Sequence, residues 1–119
     1  MYISESDKAM IRQLIERQLQ AFRQNDTETA FSLTSPIMQK KMTRQDFMTI
    51  LNDKYDCLIE PRSFIFRGFT SVNNYPALVS TIMDRQGNLA QGIFVVQHQQ
   101  DYSWRVHGYE LVPLSEKII

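Results

Sequence analysis

The sequence predicts an α+β domain in which N-terminal helices pack on a curved C-terminal antiparallel sheet of about four strands. In the first half of the chain apolar residues recur at three- and four-residue intervals, the spacing of amphipathic helices. After Glu60-Pro61 the pattern becomes that of strands, because the residue before proline is pushed towards extended backbone. Helices followed by a run of strands indicate this fold class and an antiparallel meander.

Length and composition predict one domain over residues 1–119. The chain has 119 residues, of which 43% are hydrophobic and 22% are charged, ordinary values for a globular protein. Its 13 basic residues balance 13 acidic ones. A protein that binds nucleic acid by neutralising phosphates needs concentrated positive charge, so that class is not expected here. Zero net charge also removes a barrier to self-association.

Three stretches predict helices from their caps and apolar stripes. Ser4 with Asp7, or Ser6 alone, can cap a helix over about 5–24. Its apolar stripe consists of Ile11, Leu14, Ile15, Leu19 and Phe22. Asp26 or Thr27 begins a short second helix. The other two predicted segments are a turn that follows Ser35-Pro36 and a helix over about 43–55 that opens on a Thr43–Asp46 capping box.

Four strands are predicted after residue 62, at about 63–72, 77–84, 89–98 and 104–112. Their apolar residues do not keep to one side. Leu78 and Ile82 oppose Val79 and Met83 in the second strand, whereas a sheet with one solvated face alternates between apolar and polar. In the fourth strand, Trp104 and Val106 are predicted on the opposite face from Tyr109 and Leu111. The helices can cover one face, and we expect a second copy of the chain to cover part of the other.

Four short stretches resemble a known family. They are Ala21-Phe22-Arg23-Gln24-Asn25-Asp26, Ala30-Phe31, Pro61-Arg62-Ser63-Phe64 and Trp104-Arg105-Val106-His107-Gly108-Tyr109. Together they resemble the bacterial DUF4864 family of NTF2-like, or cystatin-like, domains, over roughly residues 9–113. The resemblance implies a cone-shaped fold with a cavity between helices and sheet, and frequent dimerisation through the sheet. It implies no activity and no catalytic residue.

The titratable residues do not predict an acid–base pair. An isomerase-like site needs a base in the cavity and a donor opposite it, and the residues considered are His98, His107, Tyr55, Tyr109 and Asp84. Asp84 and His98 lie near turns, where solvent is expected. His107 is predicted to share an outer sheet face with Arg105 and Tyr109, while Trp104, Val106 and Gly108 face the helices. We therefore predict Arg105, His107 and Tyr109 as interface residues, and no catalytic residue.

Metal and thiol chemistry are not predicted either. The two histidines lie nine residues apart on different strands without further ligands, which fits no metal-binding spacing. The single cysteine, Cys57, follows Asp56, whose charge disfavours a thiolate, so we expect a small buried hydrophobe. The basic run over residues 39–44 has no interleaved aromatic residue and is expected to be a solvated junction. No cofactor and no metal follow from the sequence.

One set of residues predicts a ligand site at the mouth of the cavity: Tyr55, Arg62, Phe64, Phe66 and Trp104. An arginine beside aromatic rings can hold an anionic or aromatic ligand through charge and stacking. In the alternative, Arg62 pairs with Glu60 or Asp56 while the aromatic side chains fill the core.

The favoured function is a non-enzymatic binding or interaction module, expected as a homodimer, with a further protein partner left open. The alternative is a small-molecule-binding protein or acid–base enzyme that uses the cavity. No stretch approaches the roughly 18 apolar residues of a membrane span. The start of the chain lacks a charged segment followed by an apolar run, so a cytoplasmic location is expected.

Overall fold

A computed structural model describes residues 3–114 of the chain. Its helices are α1 (Glu5–Arg23), α2 (Thr27–Ser32), α3 (Pro36–Lys41), α4 (Arg44–Lys54) and α5 (Asp56–Ile59). Its strands are β1 (Ser63–Val72), β2 (Tyr75–Met83), β3 (Leu89–His98) and β4 (Trp104–Pro113). The strands form one antiparallel sheet in the order β1-β2-β3-β4. The predicted α+β class, with N-terminal helices and a C-terminal sheet, is confirmed.

The helix starts follow from their caps. Ser4 and Asp7 form a reciprocal capping box at α1, in which the Asp7 amide donates to the Ser4 hydroxyl over 3.0 Å. The same arrangement joins Thr43 and Asp46 at α4. These side chains satisfy amides that have no partner within the helix. Of the two predicted caps for α1, the structure uses Ser4.

Helix α5 is the one helix of the described residues that the sequence did not predict. Tyr55 leaves helical geometry with φ −131° and ends α4. The four residues that follow form a single turn whose Leu58 is 1% exposed. A turn this short has no periodicity to detect.

The core lies between α1 and one face of the sheet. The predicted stripe of α1 is buried, with Ile11 at 0% and Leu19 at 6% exposure. Burying an aliphatic side chain of this size contributes about 1.5–3 kcal/mol. The strands meet this stripe with Leu78, Ile82, Phe94, Val96 and Val106. Within residues 3–114, no helix combines the length and the apolar character needed to cross a membrane.

The first hairpin is tighter than predicted. Asn73 and Asn74 adopt positive φ values of 50° and 70°, a conformation that asparagine tolerates and that two-residue hairpin turns require. As a result Tyr75 already pairs with Val72, and β2 begins at Tyr75 rather than at residue 77.

A β-bulge at His107 corrects the predicted faces of β4. Val96 pairs with Val106 and Val95 pairs with Gly108, so His107 is an extra residue without a partner on β3. The bulge reverses the alternation that follows it. Tyr109 therefore lies on the helix side together with Val106, and Gly108 lies on the other side. The prediction that Tyr109 belongs to the outer face is wrong for this physical reason.

The sheet is apolar on both faces, as the sequence predicted. We call the side packed on α1 the helix face. The side opposite is the outer face, and its apolar side chains include Ile65, Val79, Ile93, Val95 and Val112.

Candidate functional site

The outer face presents apolar side chains that do not join the core. None of the five residues just named belongs to the buried cluster or to the partly buried side chains packed against it. Ile65 and Val112 are 46% and 42% exposed. They occupy opposite edges of one cross-strand row, which runs from Ile65 through Thr81 and Gln91 to Val112.

The next row carries charge at both edges of the outer face. Its register runs Gly68, Val79, Ile93, Glu110, with Arg67 in a second bulge beside Gly68. The Arg67 Nε donates a hydrogen bond of 2.9 Å to the Thr81 hydroxyl, which places this guanidinium on the outer face. An arginine on β1 and a glutamate on β4 thus flank the apolar centre.

Two of the predicted interface residues, Arg105 and His107, contact the chain's own segment 32–35. The Arg105 guanidinium donates to the carbonyls of Ser32 and Thr34 over 3.1 and 3.2 Å. Ser35 Oγ and His107 Nδ1 lie 2.8 Å apart. The Val106 amide and carbonyl also bond to Leu33 and Ser35, over 2.8 Å each. This segment therefore covers the free edge of β4 at residues 105–107.

The surroundings of His107 favour its neutral form. The Tyr75 ring lies 4.8 Å from the imidazole. Burial lowers the pKa of His107, and the charge of Lys41 lowers it further. Since Ser35 Oγ also accepts the Met38 amide, its hydroxyl hydrogen is available for the unprotonated His107 Nδ1.

Tyr109, the third predicted interface residue, lies in the core instead. Its hydroxyl donates a 2.6 Å hydrogen bond to Gln18 Oε1, and the Gln18 amide donates to the Ala30 carbonyl over 3.1 Å. Desolvation raises the pKa of Tyr109 well above its usual range. Its ring packs against Phe47 and Phe94. The contact is with an amide rather than a base, so it supplies no acid–base pair.

Sequence reasoning missed Gln18, which is fully buried at 0% exposure. One signal was present. Gln18 lies four residues after Leu14 and four before Phe22, so it interrupts the apolar stripe of α1. A polar residue inside such a stripe indicates a buried hydrogen-bond partner elsewhere in the chain.

The five residues predicted at the cavity mouth do not meet in one place. Phe64 and Phe66 help to line a cavity of about 150 Å³ between α1 and the sheet, together with Arg12, Ile15, Glu16 and Leu78. The arginine of this cavity is Arg12, whose guanidinium lies 4.3 Å from the centre of the Phe66 ring. Tyr55 packs against Tyr109, with ring centres 5.9 Å apart.

Trp104 lies at the opposite end of the sheet from Phe64. It pairs with His98 across β3 and β4, and the two rings stack with centres 4.5 Å apart. Trp104 is 8% exposed, and its indole N–H has no hydrogen-bond partner in the described part of the chain.

Arg62 lines a separate cleft of about 360 Å³ together with Arg23, Glu60, Pro61 and Arg85. Glu60 forms its ion pair with Arg85. The alternative in which Glu60 pairs with Arg62 is therefore not what the structure contains.

Cys57 lines an adjoining cavity of about 270 Å³. Burial raises the pKa of the thiol, and the charges of Asp56 and Asp84 raise it further. The protonated thiol is a poor nucleophile. Among residues 3–114, no group of three His, Cys, Asp or Glu side chains could hold a metal ion.

Comparison with known proteins gives one match. The profile of the family described as "Domain of unknown function (DUF4864)" matches residues 4–119. No curated protein and no solved structure matches the chain.

Proposed function

The chain belongs to the DUF4864 family, whose function is unknown, and we propose that it is a non-enzymatic interaction module that dimerises through its outer face. The observation that carries the proposal is the set of apolar side chains on that face which take no part in the core. Apolar surface of this kind is stabilised when a second surface removes it from water. A further protein partner could bind the surfaces that the dimer leaves free.

The size of the outer face supports a second copy as the occupant. Strands of nine or ten residues at about 3.3 Å per residue, in four strands about 4.8 Å apart, give a face of about 600 Å². Two such faces bury about 1,200 Å², the lower limit of stable specific interfaces. The dimer is thus expected to dissociate on dilution rather than to be permanent.

The pattern of the outer face also supports one particular symmetry. A two-fold axis parallel to the strands places β1 of one protomer opposite β4 of the other. In that arrangement Ile65 lies over Val112 of the partner and Arg67 over Glu110 of the partner, because each pair shares a row. An axis perpendicular to the strands would instead place each strand over its own copy in the opposite direction, and Arg67, near the middle of β1, would then lie close to Arg67 of the partner.

A charge swap tests both the dimer and its axis. We expect the wild-type chain to form a dimer at about 100 μM and to dissociate at low micromolar concentration in sedimentation velocity, as a small interface predicts. Arg67→Glu and Glu110→Arg should each weaken the dimer about tenfold, since each brings like charges together. The double variant should restore it.

The matched control is a second isoleucine of similar exposure that lies away from the outer face. Ile65 on the outer face and Ile50 on α4 are 46% and 39% exposed. Ile65→Lys should leave a monomer, and Ile50→Lys should dimerise like the wild type. A wild-type chain that stays monomeric at the higher concentration would overturn the proposal.

A second candidate function is small-molecule binding in the cavity between α1 and the sheet. Its support is the guanidinium of Arg12 stacked on Phe66 beside the apolar wall formed by Phe64 and Leu78. Such a site suits a small apolar or aromatic anion. The monomeric outcome above would make this cavity the better candidate.

We also propose that the chain is an NTF2-like domain and that it lies in the cytoplasm. Helices on one face of a bulged antiparallel meander, with a cavity beneath α1, support assignment to the NTF2-like domains. A reducing, cytoplasmic location in a bacterium accommodates the free thiol of Cys57.

A further inference from the structure

A cleft at the end of the molecule opposite the α1 N-terminus gathers three arginines from three separate elements. Arg23 belongs to the last turn of α1, Arg62 immediately precedes β1, and Arg85 lies in the β2–β3 hairpin. Together with Glu60 and Pro61 they line a volume of about 360 Å³. This volume falls within the range of small-molecule sites, about 300–1,000 Å³.

The charges in this cleft are not balanced. Three guanidiniums face one carboxylate, which leaves two positive charges. Glu60 already binds Arg85. Neither Arg23 nor Arg62 forms a salt bridge or a side-chain hydrogen bond within residues 3–114.

The backbone fixes the position of Arg62. The proline before it restricts φ at residue 61, and the Arg62 amide donates to the Met83 carbonyl over 2.8 Å. The arginine is thereby tied to the end of β2 beside the hairpin that carries Arg85. The backbone at Arg62 therefore needs no further ordering when an anion binds, and only the side chain has to be fixed.

We propose that this cleft binds a dianionic oxyanion of the phosphate monoester class. A guanidinium presents paired N–H donors that match phosphate oxygens. A phosphate monoester carries close to two negative charges at neutral pH, which equals the excess positive charge of the cleft. The adjoining cavity shares Glu60 and Arg85 and is also lined by the carboxylates of Asp56 and Asp84. Because these carboxylates repel an anion, the phosphate is expected to bind next to Arg23 and Arg62.

The test is a titration of the full chain with inorganic phosphate, followed by amide chemical shifts. We expect saturable shifts at residues 23, 62 and 85, and weaker shifts with acetate at matched ionic strength, because acetate carries a single charge. Arg23→Gln and Arg62→Gln should each weaken phosphate binding about tenfold, the loss of one charge-assisted contact.

The matched control is Arg17→Gln, which removes the same charge from an exposed position of α1 outside the cleft. It should change the affinity by less than about twofold, since exposed charges at a distance are screened. Equal losses in all three variants, acetate shifts as large as those of phosphate, or shifts that never saturate would each overturn the proposal. The arginine cleft and the outer face are separate surfaces. Absence of phosphate binding would therefore not contradict the dimer, and a monomeric chain would not contradict phosphate binding.

Discussion

His107 and Ser35 form a hydrogen bond between residues 72 positions apart in sequence, and it attaches the start of α3 to β4. The hydroxyl of Ser35 serves two partners, because it accepts the Met38 amide as the helix cap and is placed to donate to Nδ1. Donation from Ser35 to His107 requires an unprotonated Nδ1, and the lowered pKa of His107 favours the neutral ring. The stability of this junction is therefore coupled to pH through a single side chain.

We predict that acidification below about pH 6.5 destabilises the fold through His107. The pKa of His107 is lowered in the folded state by burial and by Lys41, so the unfolded chain binds the proton first as pH falls from about 6.5, the ordinary value. Stability is fully present above that value and is lost as pH falls through the folded pKa. Urea unfolding between pH 8 and pH 5 measures the loss.

The variant His107→Gln isolates the effect, since glutamine cannot take up a proton. It should cost about 1 kcal/mol at pH 8 for the altered hydrogen bond and should show a flatter profile between pH 7 and pH 5. Asp7, Asp26, Asp84 and Asp101 have carboxyl groups with lowered pKa values. Their protonation destabilises the fold only below about pH 4, outside the range in which His107 is measured. Identical profiles for the wild type and the variant would contradict the prediction.

The helix starts and the bounds of two strands depend on residues close to them in sequence, whereas the bulge in β4 does not. The caps Ser4, Asp26, Ser35 and Thr43 lie within three residues of the amides they bind, so sequence spacing predicts the helix starts. The bounds of β1 and β3 were likewise predicted, because Pro61 and Asn73 flank β1 and Gly87-Asn88 marks the start of β3. The bulge at His107 has no such local signal. It depends on how β4 pairs with β3 and with residues 33–35, and it moved Tyr109 to the other face.

Gly92 in β3 gives a prediction at the scale of the sheet. A Cβ at this position would lie 2.5 Å from Ile82 Cδ1 and 2.9 Å from Ser80 Oγ. Ser80 is fully buried, and its hydroxyl donates to the Gly92 carbonyl over 2.9 Å. We expect Gly92→Ala to destabilise the fold by about 1–3 kcal/mol, the usual cost of overpacking, as measured by chemical denaturation.

Gly108 supplies the matched control on the neighbouring strand. A Cβ there would lie 3.9 Å from the Val95 Cβ, an ordinary contact. Gly108→Ala should change the free energy of unfolding by less than about 1 kcal/mol, with a small gain from the stiffer unfolded chain. The measurement belongs at low protein concentration, where the outer face is free. Equal effects of the two substitutions would show that Gly92 is not required by packing.

At the scale of the whole molecule, the candidate binding surfaces are assembled from residues far apart in sequence. Arg23, Arg62 and Arg85 meet only because the end of α1, the start of β1 and the second hairpin share one end of the fold. The sequence could suggest an arginine beside aromatic rings, but not that Arg12 rather than Arg62 would reach Phe66. The apolar character of both sheet faces was predictable, since it needs only the alternation within single strands.

The proposed dimer links the stability of the molecule to its concentration. When folding and dimerisation are coupled, each tenfold rise in protein concentration adds about 1.4 kcal/mol to the apparent stability of the dimer, or about 0.7 kcal/mol per chain. We expect the urea midpoint of the wild type to rise between about 5 and 500 μM protein, as followed by circular dichroism. For Ile65→Lys the midpoint should stay constant, because a lysine on the outer face keeps the chain monomeric, whereas Ile50→Lys should behave as the wild type does. A wild-type midpoint that does not move over this range would contradict the proposed dimer.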